Sequence, residues 1–510
     1  MIRTVEQYLE SLRDGRVIYC LGERVKDVTT HPVLRRNVKA GAMDWVMTND
    51  PERRSLFVSK NEEGEEVHFT WTMPKTAEDL LQRRKVHIEA CRFGGGGLHA
   101  MGADAVAAAR ILADKQDKAL GTNYTERVEN YIKYIQKTDI GLNLAMTDVK
   151  GDRGIHPSKQ VQHKDFFVRV IDRRKEGIIV RGAKYHISMT PSANDMVVMP
   201  CRNHFEEDKD YAVYFSTPLN AKGLTLICSD PEIRTLYTEE TAWDYPDCSM
   251  VGPYAGEAMV VFDDVFVPWE RVFMCGEWQF TRDAAYLFSA YHRLFAATRM
   301  IIALEDLTGV AALMAEYNGL EKYSHIREKL AWLVQLTETV KCVSEAACRS
   351  PEKEPDSGIV FPNKMLTNIA KNIYADNFHQ AMKHAQDICG GIAVDPPVYR
   401  DWANPELRPY LEKYLAGKAG IATEYRLRAI RFLKDLTGWQ HSAHNVHGEG
   451  SLAAQTMMIY TAADFEKYKM GAKRTAGIPG WEKDPFLGSL PDGEGLVEAK
   501  MPPVDTSYAL

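Results

Sequence analysis

Residue types that can do chemistry stand closest together in Asp139-Ile140-Gly141-Leu142-Asn143-Leu144-Ala145-Met146-Thr147-Asp148-Val149-Lys150-Gly151-Asp152-Arg153-Gly154. Within a few residues this stretch gathers the Thr147 hydroxyl, the Lys150 and Arg153 cations, and glycines at 151 and 154 that let a backbone approach a ligand closely. Such a set suits the floor of a flavin or another phosphorylated cofactor. On turn chemistry alone, Lys150-Gly151-Asp152-Arg153-Gly154 is equally a solvated turn. A second glycine run, Gly95-Gly96-Gly97-Leu98-His99-Ala100, matches the dinucleotide-binding string GxGxxG/A. It follows a helix-patterned segment where that fingerprint needs a strand, so a Rossmann reading is rejected.

The elements that must position these residues come in three textures. Thr4-Val5-Glu6-Gln7 fits a capping box opening a short amphipathic helix. A longer helix starts after Thr76, carries Leu80, Leu81, Ile88 and Cys91 on its apolar side, and is stopped by the glycines at 94–97. Helical patterning continues from Ala103 to about Lys115 and from Tyr124 to Thr138. After Arg153 the period changes from 3.6 to 2, and Phe166 to Ile171, a turn at Lys175-Glu176-Gly177, and Ile178 to Gly182 read as a hairpin. Met196 to Met199, Tyr211 to Phe215, Leu224 to Cys228 and Ala258 to Phe262 continue as short strands of an antiparallel barrel or sandwich. From Asp283 long helices return, with one stripe at Ile326, Leu330, Leu333, Val340, Val343 and Ala347, another beginning at Leu366, Ile369 and Ile373, and two more over Leu411 to Leu436 and Leu452 to Met470. The expected organisation is α+β: a helical domain at 1–150, a middle β domain at 151–280, a helical bundle at 281–475, and an extended tail at 476–510 with five prolines.

Composition limits the function classes. The 510 residues carry 45% hydrophobic and 26% charged side chains, ordinary for a globular protein, and a net charge of −7 with no phosphate-neutralising basic run. Nucleic acid is therefore not an expected partner. No apolar stretch approaches the roughly 18 residues of a membrane span. The nine cysteines are an odd number without a CxxC pair, and no secretory segment opens the chain, so a reducing cytoplasm is expected.

Several strings taken together resemble the flavoprotein family that contains the oxygenase components of 4-hydroxyphenylacetate 3-monooxygenase and 4-hydroxybutyryl-CoA dehydratase. They are Gly121-Thr122-Asn123-Tyr124, Tyr131-Ile132-Lys133-Tyr134, Ala145-Met146-Thr147-Asp148 with Lys150-Gly151-Asp152-Arg153, Arg181-Gly182-Ala183-Lys184, Phe262 to Arg271, Tyr291-His292-Arg293 and His447-Gly448-Glu449-Gly450-Ser451, in family order along nearly the whole chain. The resemblance implies an acyl-CoA dehydrogenase-like fold with FAD between the middle β domain and the bundle, in a homotetramer or homodimer. It also implies that Met146, Thr147, Lys150, Arg153, Lys184, Ser188, His447, Gly448, Gly450 and Ser451 meet the cofactor, with Ser188 where relatives carry a threonine facing the flavin. Glycines opening a helix suit a pyrophosphate, although 447–451 is also what a plain helix N-cap looks like.

Within the family the chain departs from both branches. Cys-x3-Cys and His-x6-Cys, which the dehydratase branch uses to hold an iron–sulfur cluster, read here as Cys91 with Gly95 and His292 with Arg299, so no metal is expected. That branch's tyrosine, lysine and glutamate are replaced by Ala296, Met300 and His444. The phenol pocket of the hydroxylase branch also lacks its arginine, tyrosine and histidine, the last reading Leu144. His292 and Glu257 are the candidate catalytic acid/base groups, and His99, Cys91, Ala296 and His444 the candidate substrate pocket. Two enzyme functions follow: an FAD-dependent monooxygenase hydroxylating an aromatic or related small substrate with flavin from a separate reductase, or a cluster-free lyase or isomerase acting on an acyl-CoA. A non-catalytic flavin-binding subunit is the third possibility.

Overall fold

The computed structural model describes residues 2–229, 243, 256–476 and 478, and most of the tail expected at 476–510 lies outside these. Local sequence explains the first helices. Thr4 and Gln7 exchange hydrogen bonds in a capping box ahead of the Val5–Ser11 helix, and Thr76 and Asp79 do the same ahead of Ala77–Arg92. The glycine run then joins two helices. Gly96 has φ +88°, open to glycine and costly for other residues, and the Gly97–Leu120 helix starts at once, six residues before the expected Ala103. Its early start has a tertiary cause: the Asp44 carboxylate, carried on the Leu34–Asn49 helix, accepts hydrogen bonds from the backbone N–H groups of Gly96, Leu98 and His99. Further along, a Cβ at Gly102 would lie 2.5 Å from the Leu142 side chain, so glycine is what lets this helix cross the strand that leads to the site.

The period-2 segments form two sheets among the described residues. One has the strand order Glu23–Arg24, Ile18–Cys20, Leu224–Cys228, Ala258–Pro268, Gly177–Ile187, Arg169–Arg173, and the other Val272–Cys275, Val213–Pro218, Asp195–Val198, Leu142–Ala145. Two strands of the first sheet come from the N-terminal region read as helical: Ile18 and Tyr19 pair in parallel with Leu226 and Ile227. Strands of two or three residues, one of them paired some two hundred positions away, carry no periodicity to detect. Val170, Val180, Met196, Val198, Phe215, Val260 and Phe262 are buried in one core between the sheets.

Thr281–Tyr317, 37 residues long, is the axis of the helical part. It is buried along most of its length because it packs on the N-terminal helices and on the bundle formed with Ser324–Arg349, Lys364–Cys389 and Thr423–Leu436. The continuous helix expected over Leu411 to Leu436 is two, Arg408–Tyr414 and Thr423–Leu436, and the chain between them brings Gly417 so close to the Tyr317 carbonyl that a Cβ would lie 2.2 Å from it. Likewise Leu452–Ala462 and Phe465–Ala476 are separate helices, since Asp464 accepts a hydrogen bond from the Lys467 N–H and starts a new N-terminus. No helix of the described residues is long and apolar enough to cross a membrane.

Candidate active site

Strand Leu142–Ala145 runs off the second sheet into Met146–Asp148, which crosses to the first sheet where Asp148 bridges Lys184. The Thr147 carbonyl accepts from the Tyr185 N–H at 2.9 Å. Lys184 is buried and points at the protein itself: its Nζ donates to Met146 O at 2.9 Å, Met199 O at 2.8 Å and Asp148 Oδ1 at 2.5 Å. Expected at the cofactor, Lys184 therefore stands behind the floor. The groups left for a ligand are the half-buried Thr147 hydroxyl, without a hydrogen-bond partner among the described residues, and Lys150 and Arg153, which make no ion pair there.

Ser188 sits between two non-glycine residues with left-handed backbone, His186 at φ +58° and Met189 at φ +60°. Each costs on the order of 1–3 kcal/mol and persists only where the surroundings fix it. Here Asn143 Nδ2 donates to Ser188 O at 3.2 Å, and Ser188 Oγ donates to Glu257 Oε1 at 2.5 Å. Burial pushes the Glu257 carboxyl up to about 7, against the Ser188 hydrogen bond that favours its charged form. His444 Nδ1 stands 4.0 Å from the same carboxyl oxygen, and burial with the nearby Arg299 pushes this imidazole down to about 4.

Across the crevice, the 444–450 segment is pinned to two helices. Arg299 donates to Asn445 Oδ1 at 3.2 Å and pairs with Glu449 at 3.5 Å; Tyr374 OH donates to the same Asn445 oxygen at 2.6 Å; Lys371 Nζ donates to the Asn445 and Val446 carbonyls, each at 3.3 Å. Burial opposes the Glu449 charge, but Arg299, His444 and Lys371 outweigh it and hold the carboxyl at about 2. Burial lowers Lys371 to about 8. Gly450 has φ +104°, and a Cβ there would lie 3.2 Å from Arg293 Nη2. Arg293 is 6% exposed, yet its Nε and Nη1 find no hydrogen-bond partner among the described residues, and burial lowers it to about 10. A buried guanidinium with unmet donors is the group that an anion such as a phosphate satisfies.

His292 faces the N-terminal helices. Its Nδ1 is 3.4 Å from Asp104 Oδ2, Asp104 is held in turn by Arg83 at 3.2 Å, and the ring stacks on Phe288 and Phe295. Cys91 lies nearby in an apolar cluster with Ala100, Met101, Phe295 and Ile302, and burial pushes its thiol up to about 12. An iron–sulfur cluster does not fit this donor set: the charge that acts most strongly on Cys91 is the Arg299 cation, and no three His, Cys, Asp or Glu side chains among the described residues could share a metal ion.

The structure thus brings Ser188, Glu257 and His444 together, with the Glu449 carboxylate close enough to act on both titratable groups. It does not bring His99 there. That imidazole is fully buried in the N-terminal layer, with Nε2 3.1 Å from Asp139 Oδ1, Nδ1 3.4 Å from Asp44 Oδ2, and its ring stacked on His68 at 4.1 Å. Ala296 is packed in the bundle core, His447 is exposed, and Ser451 caps the following helix by accepting from the Ala454 N–H at 3.3 Å. Sequence reasoning took Arg299 only as the replacement for a cluster thiolate and passed over Lys371 and Arg293. Each is a charge set among the apolar positions of a buried helix face, and that mismatch was the available signal.

Comparison with known proteins gives a consistent picture. The N-terminal and C-terminal models of the 4-hydroxyphenylacetate 3-hydroxylase family match residues 4–274 and 281–477. The chain is 32% identical over 497 residues to the 4-hydroxybutyryl-CoA dehydratase/vinylacetyl-CoA-Δ-isomerase of Clostridium aminobutyricum, covering 94% of this chain and 100% of that protein. It is 29% identical over 479 residues to the 4-hydroxyphenylacetate 3-monooxygenase oxygenase component of Thermus thermophilus, covering 92% and 96%. Among solved structures, an oxygen-tolerant archaeal 4-hydroxybutyryl-CoA dehydratase from N. maritimus superposes with TM-score 0.87 at 31% identity, covering 94% of this chain and 96% of that one. An oxygenase component of 4-hydroxyphenylacetate 3-monooxygenase complexed with FAD gives 0.83 at 26%, covering 93% and 98%. Glutaryl-coenzyme A dehydrogenase, at TM-score 0.50 and 11% identity over 93% and 95%, shares the fold alone.

Proposed function

The chain belongs to the 4-hydroxyphenylacetate 3-hydroxylase family, and on that premise we propose that it is an FAD-dependent oxidoreductase of the monooxygenase type, hydroxylating an aromatic or related small substrate with reduced flavin from a separate reductase. The residues fit FAD. The free Thr147 hydroxyl and Ser188 suit the ring's polar edge, and Lys150, Arg153 and the unmet Arg293 donors suit its phosphates. When bound, FAD would supply two-electron chemistry and, once reduced, reactivity toward oxygen.

The chain's own contribution is proton handling at the Ser188–Glu257–His444 group. Glu257, with its carboxyl poised near neutrality and one oxygen already taken by Ser188, is matched to remove a proton from a substrate hydroxyl. His444 is neutral at that pH and can accept or relay the proton. The observation that carries the choice between branches is the Arg299–Glu449 pair, whose charges act on Cys91. Elimination of water from a hydroxyacyl thioester needs an electrophile for the departing hydroxide, and a guanidinium already bound to Glu449 and Asn445 is a poor one. Hydroxylation asks for no such group.

A second reading is favoured by Ser188–Glu257–His444 taken alone: moving a proton between two carbons of an unsaturated acyl-CoA needs an acid/base pair and no leaving group. Oxygen uptake separates the two. The monooxygenase consumes oxygen when given reduced FAD and a phenolic substrate and forms hydroxylated product; the isomerase converts a vinylacetyl thioester anaerobically. Assembly as a homodimer or homotetramer belongs to the same reading, supported by Met457, Tyr460, Phe465 and Tyr468, which leave large apolar surface exposed on the last two described helices. So does cytoplasmic residence, supported by the buried thiols of Cys91, Cys348 and Cys389, which form no disulfide among the described residues.

A further inference from the structure

Lys184 makes all its side-chain hydrogen bonds to oxygens of the protein, and this points to a role of its own. We propose that Lys184 is a positioning residue that sets the backbone of Met146–Asp148 against the flavin, an inference that rests on the FAD reading above. The floor is a crossover: it leaves one sheet at Ala145 and meets the other at Asp148, so neither ladder fixes it along its length. Lys184 supplies what the ladders do not. One ammonium holds Met146 O and Met199 O, the first residues beyond two neighbouring parallel strands, and the Asp148 carboxylate that closes the crossover. With the Met146 carbonyl bonded to Lys184 and the Thr147 carbonyl to the Tyr185 N–H, two acceptors of the segment are taken by the protein. An ammonium with its three donors used on three oxygens, 3% exposed, is a fixed joint, and its neighbour Asp148 is further held by the Cys201 thiol at 2.9 Å on its second oxygen.

The test is FAD titration of three purified full-length variants, with far-ultraviolet circular dichroism as the check on folding and the visible spectrum of the bound flavin as the check on its surroundings. K184M loses the joint and is expected to weaken FAD binding by about tenfold or more and to shift the flavin absorption bands. C201A, which removes a contact to Asp148 but neither carbonyl bond, is expected to bind FAD as the wild type does. Because K184M leaves Asp148 buried and unpaired, the double variant K184M/D148L, with no charge left over, serves where the single one fails to fold. Wild-type affinity and an unshifted spectrum in either folded Lys184 variant overturn the positioning role while leaving the FAD reading intact. A wild-type protein that takes up no FAD overturns both.

Discussion

Two buried charged networks in this molecule look alike in composition and differ in how completely they are paired. In the N-terminal layer, His99 lies between Asp44 and Asp139, and Asp139 also accepts from Trp45 Nε1 at 2.9 Å and from the Arg3 N–H at 3.0 Å. Burial by itself would neutralise His99, but the two carboxylates outweigh it and hold the imidazole up at about 9. At the crevice, Arg293 keeps unmet donors, Glu257 is held near neutrality, and Ser188 sits in a strained loop. A network whose charges answer one another is a structural staple; a guanidinium such as Arg293, with donors unmet among the described residues, is open to an anion. Burial of charge alone marks neither.

The largest expected effect breaks the staple. H99L leaves Asp44 and Asp139 buried without their cation and should cost roughly 3–5 kcal/mol in denaturant unfolding, with no change in the spectrum of bound flavin. A loss below about 1 kcal/mol would erase the contrast. For the wild type, a raised imidazole contributes stability that is full below its unfolded value near 6.5 and is lost as pH climbs through about 9.

E257Q probes the other side. A carboxyl raised from 4.5 to about 7 binds its proton more tightly folded than unfolded, so wild-type stability falls as pH rises through that window. The glutamine variant escapes this and should be the more stable protein by roughly 3 kcal/mol above pH 7, while losing about 10²–10⁴-fold in turnover. Equal stability profiles would place Glu257 among the structural charges.

How much of this was legible in the sequence follows the same division. The capping box at Thr4, the helix start after Thr76 and the helix Tyr124–Thr138 announce themselves locally, as does the hairpin around Gly177. The strand at Ile18–Cys20 and the early start at Gly97 do not, because a distant strand and the Asp44 carboxylate create them. Family strings led to Ser188 and Glu257, whose contact the structure supplies at 2.5 Å. The structure sets Lys184 onto protein oxygens and His99 between two carboxylates, since a motif records which residue stands at a position and not which way its side chain turns.

Smaller effects refine the comparison. R293M removes a buried cation with unmet donors, so the apo protein should lose no stability, while FAD affinity falls about 10–100-fold, roughly 1.5–3 kcal/mol by titration. Unchanged affinity would return Arg293 to the structural side. S188A removes the hydrogen bond that favours the Glu257 anion, and the acidic limb of the pH–rate profile should move upward by under about one pH unit, the equivalent of roughly 1 kcal/mol. A limb that stays in place or moves down would show that Ser188 does not tune this carboxyl.

The most direct measurement is a visible absorption spectrum of protein purified without oxygen, taken together with iron and acid-labile sulfide analysis of the same sample. The crevice around Thr147, Ser188 and Arg293 predicts equimolar FAD with no stoichiometric iron or sulfide. A sample that takes up no flavin, or one that carries an iron–sulfur cluster beside Cys91, would contradict it.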